Sequence, residues 1–474
     1  MTTRRTRLVI AGALLGATAL AGARAARLTP PPEGGTTSVT APGGGRVTFS
    51  GNLDRTSVLR GGDGVVRMEL VMRAGADAEH ITALRRPTDL VIVLDRSGSM
   101  MGEKIEHARA AVRELVGQLG PQDRFALVTY SDAATLAIPF AVADENARAR
   151  WLGTIASVTA EGNTNVSGGL DLGMDLVEGS RSAGRAARAI LISDGLANQG
   201  DPTPEGLVRR AGRAARGEYV LSTIGVGADF NEYLMTALAD AGTGNYYYVR
   251  GGADLASVFA REFDAARTTV ASAVAVDVEP SSGVRVVDAG GYPLEQLGTG
   301  VRFRPGSLFA GQERRVWVTL AVPNGSVGEH DLGRFTLAYG DPATRTKLTL
   351  ADVPRIACVA GEDEFYAGLD KEAWSRSVVV DTYNKMQEEV AREVKAGRRD
   401  AAIGRLRRFK DEAQAMNARV NAPAVAAKLG AADRLEHDVA SVFEGENQAA
   451  KQNELSKSKS ADAVDSRRVG SKKQ

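Results

Sequence analysis

The sequence predicts a multidomain chain of α/β, β and α parts: a doubly wound, mostly parallel sheet inserted in an antiparallel β-sandwich and followed by a C-terminal helical segment. Three observations carry this. Between Asp89 and Ala266, short apolar runs such as VIVL (91–94) and AILI (189–192) alternate with amphipathic stretches, the pattern of strands buried on both faces by crossover helices. On either side of that region, apolar and polar residues alternate with period two, as in half-buried antiparallel strands. From about residue 379 the apolar spacing becomes helical.

Taken in order, Arg4, Arg5 and Arg7 precede an apolar stretch over 8–23, and Ala23-Arg24-Ala25 places small residues at cleavage positions, so 1–25 reads as a signal peptide. An uncleaved anchor is the alternative, because the apolar run is long for a signal core. No cysteine follows the run, as lipid attachment would need, and the expectation is an exported protein: periplasmic, cell-surface-associated or secreted. The Pro- and Gly-rich stretch 26–45 reads as a linker. In GVVRMELVM (64–72), Val66, Met68, Leu70 and Met72 share one face while Arg67 and Glu69 take the other. Residues 46–85 hold too few strands to stand alone, so they are expected to join 271–358 in one sheet pair, with 88–268 inserted between them.

Within the insertion, Ile105, Ala108, Val112, Leu115 and Leu119 recur at helical spacing and Gly120-Pro121 ends that helix. Strands are expected at 125–129, 189–192, 219–224 and 246–249, with helical stretches at 204–215 and 255–266. Over 271–358 the segments SAVAVDVEP, GVRFRP, RRVWVTLAV, GRFTLAYG and TKLTLADV alternate between turn clusters. Cys358, the single cysteine, cannot form an intrachain disulfide and reads as a small buried apolar residue. Residues 362–445 are expected to be helical. One stripe is Val379, Tyr383, Met386, Val390 and Val394; a second is Ala402, Leu406, Phe409, Ala413, Met416 and Val420, with Gly397 and Asp400 marking the turn. Residues 446–474 are polar, rich in Lys and Ser and without periodicity, and are expected to be disordered.

At 474 residues the chain exceeds one ordinary domain, and 59 Lys and Arg against 58 Asp and Glu argue against a general nucleic-acid or membrane-surface binder. The chemistry gathers instead in five oxygen-bearing side chains from three segments: Asp95, Ser97 and Ser99 in LDRSGSM, Thr164 in EGNTNVSGG, and Asp194 in ILISDG. Two of these segments follow predicted strands directly, and ligands collect at the carboxyl ends of parallel strands. Hard cations such as Mg²⁺, or alternatively Mn²⁺ or Ca²⁺, take oxygen ligands, and hydroxyls in a compact loop favour the smaller ions. Two carboxylates balance a divalent charge without saturating the ion, leaving a position for an acidic group from a protein partner. A Ser/Asp turn that merely caps the next helix is the plainer alternative. R-S-G-S-M is not the G-x-S-x-G of a nucleophile elbow, no dinucleotide or phosphate loop follows the first strand, and His80, His107, His330 and His437 are scattered.

The five positions, in this order, resemble the metal-ion-dependent adhesion site (MIDAS) of von Willebrand factor type A domains. The resemblance covers roughly residues 88–268 and includes GEKIEHARAAV, DRFALVTYSD and STIGVGADFN. It implies direct ligation by Ser97, Ser99 and Thr164, with Asp95 and Asp194 acting through water. The function expected is an exported, metal-dependent protein-binding module for adhesion or scaffolding, and not an enzyme. Two alternatives are an accessory subunit of an ATP-driven complex, against which the export signal weighs, and a metal-dependent hydrolase. The hydrolase lacks a general base, since Asp132 and Asp229 read as turn or helix caps.

Overall fold

The computed structural model describes residues 38–41, 46–75, 86–182, 184–227, 230–249, 254–340 and 345–468. The expected signal peptide, most of the expected linker, residues 76–85 and Asp229 lie outside the described residues.

The first strands are β1 (Ser38–Thr40), β2 (Val47–Leu53), β3 (Ser57–Leu59) and β4 (Val65–Ala74). β1 corrects the linker expectation: it pairs antiparallel with β2 and buries Val39, with Ala41 buried just beyond it. Two small apolar side chains among Pro and Gly are too short a pattern to read as a strand, yet pairing with β2 suffices to seat them. β4 alternates as its sequence requires, but its polar face is not wet. Glu69 is buried beneath Arg315 at 2.8 Å and Arg376 at 3.4 Å, the latter from the helical segment.

The central region runs β5 (Thr88–Asp95), α1 (Glu103–Gln118), β6 (Arg124–Tyr130), β7 (Ala134–Val142), α2 (Glu145–Ala156), α3 (Val166–Ser180), β8 (Ala186–Ser193), α4 (Pro204–Gly217), β9 (Val220–Val226), α5 (Glu232–Ala241), β10 (Thr243–Val249) and α6 (Leu255–Arg267). The sheet order is β10-β9-β8-β5-β6-β7, parallel throughout except for β7. β5 and β9 are buried along their whole length, because α1, α2 and α6 cover one face and α3, α4 and α5 the other in two separate apolar clusters. β7 escapes the sequence reading because it contains Pro139 and is mostly solvent-facing, as an edge strand permits.

Ten strands follow: β11 (Thr269–Glu279), β12 (Arg285–Ala289), β13 (Glu295–Leu297), β14 (Gly300–Phe303), β15 (Leu308–Phe309), β16 (Glu313–Ala321), β17 (Gly328–His330), β18 (Arg334–Gly340), β19 (Arg345–Thr349) and β20 (Ile356–Val359). They combine with the first strands. One sheet has the order β1-β2-β4-β16-β12 and another β13-β14-β11-β18-β19, while β20 pairs in parallel with β3 in a small third sheet. The β4–β16 register runs unbroken from Arg73 opposite Glu313 to Val65 opposite Ala321. Phe49, Leu53, Met68 and Leu70 share one core with Val276, Phe303, Phe335 and Leu337, and Cys358 is buried in it. Each buried side chain of this kind contributes about 1.5–3 kcal/mol relative to exposure, so the early and late strands depend on one another. The central region is thus interposed between β4 and β11. Its flanks meet at consecutive residues: Gly311 N–H donates to Gly75 O at 3.0 Å and Ala310 N–H to Thr268 O at 2.9 Å.

The last part contains α7 (Glu362–Ala367), α8 (Lys371–Arg376), a π-helical turn (Ser377–Thr382), α9 (Tyr383–Lys395), α10 (Arg399–Val420), α11 (Pro423–Val442) and α12 (Gln448–Arg468). Tyr383, Met386, Val390 and Val394 pack with Leu406, Phe409, Leu435 and Val439 in a separate core. The π-helical turn rotates the stripe, so Val378 is buried and Val379 only partly so. α12 corrects the expectation of a disordered tail beyond 446. It docks through small side chains, with Ser456, Ser460 and Ala463 buried, and small polar residues leave no apolar stripe to read. Among the described residues no helix is long and apolar enough to cross a membrane.

Candidate metal centre

The five oxygen-bearing residues come together at the carboxyl ends of β5 and β8, neighbours in the parallel sheet. Asp95 is the last residue of β5 and Asp194 follows the last residue of β8. After β5 the chain makes a 3₁₀ turn (Gly98–Met100), which turns Ser97 and Ser99 toward Asp194. The Ser99 hydroxyl donates to Asp194 Oδ1 at 2.7 Å, and Ser97 Oγ lies 3.1 Å from Ser99 Oγ. Because Ser99 gives its one proton to Asp194, its oxygen keeps lone pairs for another partner, and Ser99 is exposed while Ser97 is buried.

Thr164 is brought in by hydrogen bonds between loops. Gly98 N–H donates to Gly162 O at 3.0 Å and Glu161 N–H to Arg96 O at 2.7 Å, fastening the loop before α3 to the loop after β5. The carboxylate of Asp132 accepts from Asn163 N at 3.1 Å and Asn163 Nδ2 at 2.7 Å. Asn198, beyond β8, accepts from Thr164 N–H at 2.8 Å and donates its own N–H to Thr164 O at 3.1 Å. Gly195 provides the space: a Cβ there would stand 3.2 Å from Ser99 Oγ and 3.7 Å from Thr164 Oγ1, so both hydroxyls border a residue that has no side chain.

Charge is prepared as well as shape. Asp95 is completely buried, and its Oδ1 accepts from Ser97 N–H at 2.8 Å while Oδ2 accepts from the Ser193 hydroxyl at 2.8 Å and the Tyr130 hydroxyl at 3.3 Å. Burial raises the Asp95 carboxyl above its ordinary range, the hydrogen bonds from Ser97 and Ser193 oppose that, and the nearby Asp194 charge adds to it. Tyr130 is pushed well above the usual phenol range, chiefly by burial and then by the Asp95 charge, and so stays a donor. Asp194, fully buried, is met by Lys104 from the first turn of α1, whose Nζ lies 2.5 Å from Asp194 Oδ2 and 3.2 Å from Ser99 O.

The set therefore offers two buried carboxylates and three hydroxyls from three segments, the donor chemistry a hard divalent cation takes. Sequence reasoning missed five supporting residues: Tyr130, Ser193, Asp132 as a loop anchor, Asn198 and Lys104. The position of Ser193 beside Asp194 at a strand end was the one local signal for it.

Residues 89–261 match the von Willebrand factor type A domain family. An uncharacterized Escherichia coli protein, YfbK, is 31% identical over 194 residues, which is 40% of this chain but only 33% of that protein. An uncharacterized protein of Synechocystis sp. is 23% identical over 337 residues, 68% of this chain and 77% of the relative. Among solved structures, a von Willebrand factor type A protein from Catenulispora acidiphila is similar with a TM-score of 0.66 at 19% identity, covering 92% of this chain and 98% of that one. At that identity the likeness is one of fold.

Proposed function

Starting from a von Willebrand factor type A domain at residues 89–261, we propose that this protein is an exported, metal-dependent protein-binding module. Asp95, Ser97, Ser99, Thr164 and Asp194 hold a divalent cation, Mg²⁺ or alternatively Mn²⁺ or Ca²⁺, and an acidic side chain of a partner completes its coordination. The observation that supports this most directly is the Ser99–Asp194 hydrogen bond at 2.7 Å, which joins residues 95 positions apart and sets Ser97 Oγ, 3.1 Å from Ser99 Oγ, beside the same carboxylate. The surrounding groups favour binding over catalysis. Tyr130 and Ser193 donate to Asp95, and Lys104 is an ammonium engaged with Asp194, so the groups around the two carboxylates act as donors rather than as a general base. Export rests on Arg4, Arg5 and Arg7 ahead of the apolar run 8–23; mass spectrometry of the protein from its producing cell is expected to find a mature N-terminus near Ala26.

The test is partner capture from envelope and culture extracts. Wild-type protein in Mg²⁺ is expected to retain a specific protein that is released by chelator and is not retained by a folded Asp95→Ala, Ser97→Ala double variant. Equal capture in all three conditions overturns the reading.

A further inference from the structure

We infer that Lys104 is a tethered competitor for the cation: its ammonium shares the Asp194 carboxylate with any divalent ion bound there, lowers the site's metal affinity, and leaves the occupied site with a surplus positive charge that selects an anionic ligand. This inference rests on the metal reading above and deepens it.

Lys104 is not a loose surface lysine. Three segments shape its position: the first turn of α1 carries it, the loop after β5 accepts its proton at Ser99 O, and the end of β8 supplies Asp194. Its stem passes the end of β9 at Gly227, where a Cβ would fall 3.1 Å from Lys104 Cε and 3.4 Å from Nζ. Gly227 has a φ of 75°, a backbone conformation that favours glycine, so the same residue that turns the chain leaves the gap through which the lysine reaches inward. Asp194 Oδ1 is committed to the Ser99 hydroxyl, so Oδ2 is the oxygen for which the ammonium and a cation, or its water, compete.

Charge counting gives the direction. Asp95 and Asp194 carry two negative charges and Lys104 one positive, so a divalent ion takes the group from one net negative charge to one net positive. Without Lys104 the same ion would end at neutrality and bind without like-charge repulsion. Two like charges a few ångströms apart in a partly buried site repel strongly enough to shift binding by about tenfold or more. A positive remainder also favours a carboxylate over a neutral oxygen as the ligand completing the coordination.

The test is calorimetric titration of the full chain with Mg²⁺, comparing wild type, Lys104→Met, which keeps the length and apolar stem, and Lys104→Arg, which keeps the charge. Lys104→Gln serves if the methionine variant does not fold. The neutral variants are expected to bind Mg²⁺ about tenfold or more tightly than wild type, and Lys104→Arg within a few-fold of it. Binding by wild type with unchanged or weaker affinity in the neutral variants overturns the role of Lys104 alone. An absence of binding in every protein overturns the metal reading, and this inference with it.

Discussion

Gly195 shows how narrow the tolerance of the site is at the scale of a residue. It separates Ser99 from Thr164, and a methyl there would press on Ser99 Oγ at 3.2 Å. Gly195→Ala is expected to weaken Mg²⁺ binding by about tenfold while leaving the fold intact, since the crowded atom is a side-chain hydroxyl at an exposed position rather than core; calorimetry beside a thermal melt separates the two effects. Ser193→Ala acts differently. It removes the 2.8 Å donor to a buried carboxylate, and a stability loss of about 1–3 kcal/mol is expected in urea unfolding. Four of the five oxygens were legible in loops directly after predicted strands, and Thr164 through its place in the family pattern that the set resembles. Lys104, Asp132 and Tyr130 were not, because their roles depend on which loops meet, and that is set by strand order rather than by spacing along the chain.

At the scale of elements, α6 is held by a buried charge. Glu262 pairs with Arg188 of β8 and accepts from Ser222 at 2.7 Å, Asn245 at 2.7 Å and Tyr247 at 2.6 Å. Burial alone would raise its carboxyl, but the Arg188 charge and these hydrogen bonds outweigh burial and hold it below the ordinary range. A depressed carboxyl contributes stability that is full above the unfolded value of about 4.3 and is lost as pH falls through the folded value. Glu262→Gln also leaves Arg188 without its buried counter-charge, so a loss of about 3–5 kcal/mol is expected near neutral pH, narrowing below about pH 4, in urea unfolding followed across pH. α12 carries a second prediction. Ala463→Arg places a long cation at a fully buried position, and hydrogen exchange over 448–468 is expected to rise while Mg²⁺ affinity stays unchanged. The paired stripes of α9 and α10 were legible as 3.6-residue repeats. α12 was not, since it is held by small side chains and by polar contacts such as Ser460 to Tyr233 at 3.3 Å.

For the whole molecule, the chain leaves the β core after β4 and returns to it in β11. The small number of first strands was enough to foresee that they need later partners, because two or three strands alone bury too little apolar surface. Their neighbours in each sheet could not be foreseen, nor could the cover that Arg376 provides over Glu69, since period-two patterns state which side is apolar but not what lies against the other. Deletion of residues 38–75 is expected to yield aggregated protein by size-exclusion chromatography, because it strips β16 of a register neighbour and removes Phe49, Leu53, Met68 and Leu70 from the shared core. The two flanks of the insertion, Gly75 and Thr268, are bound by Gly311 and Ala310. The two chain ends of the insertion thus enter different sheets, through β4 and β11, yet are tied to neighbouring residues of one turn. A displacement of the insertion therefore reaches both sheets of the β core at once, beside the single turn that ties its flanks.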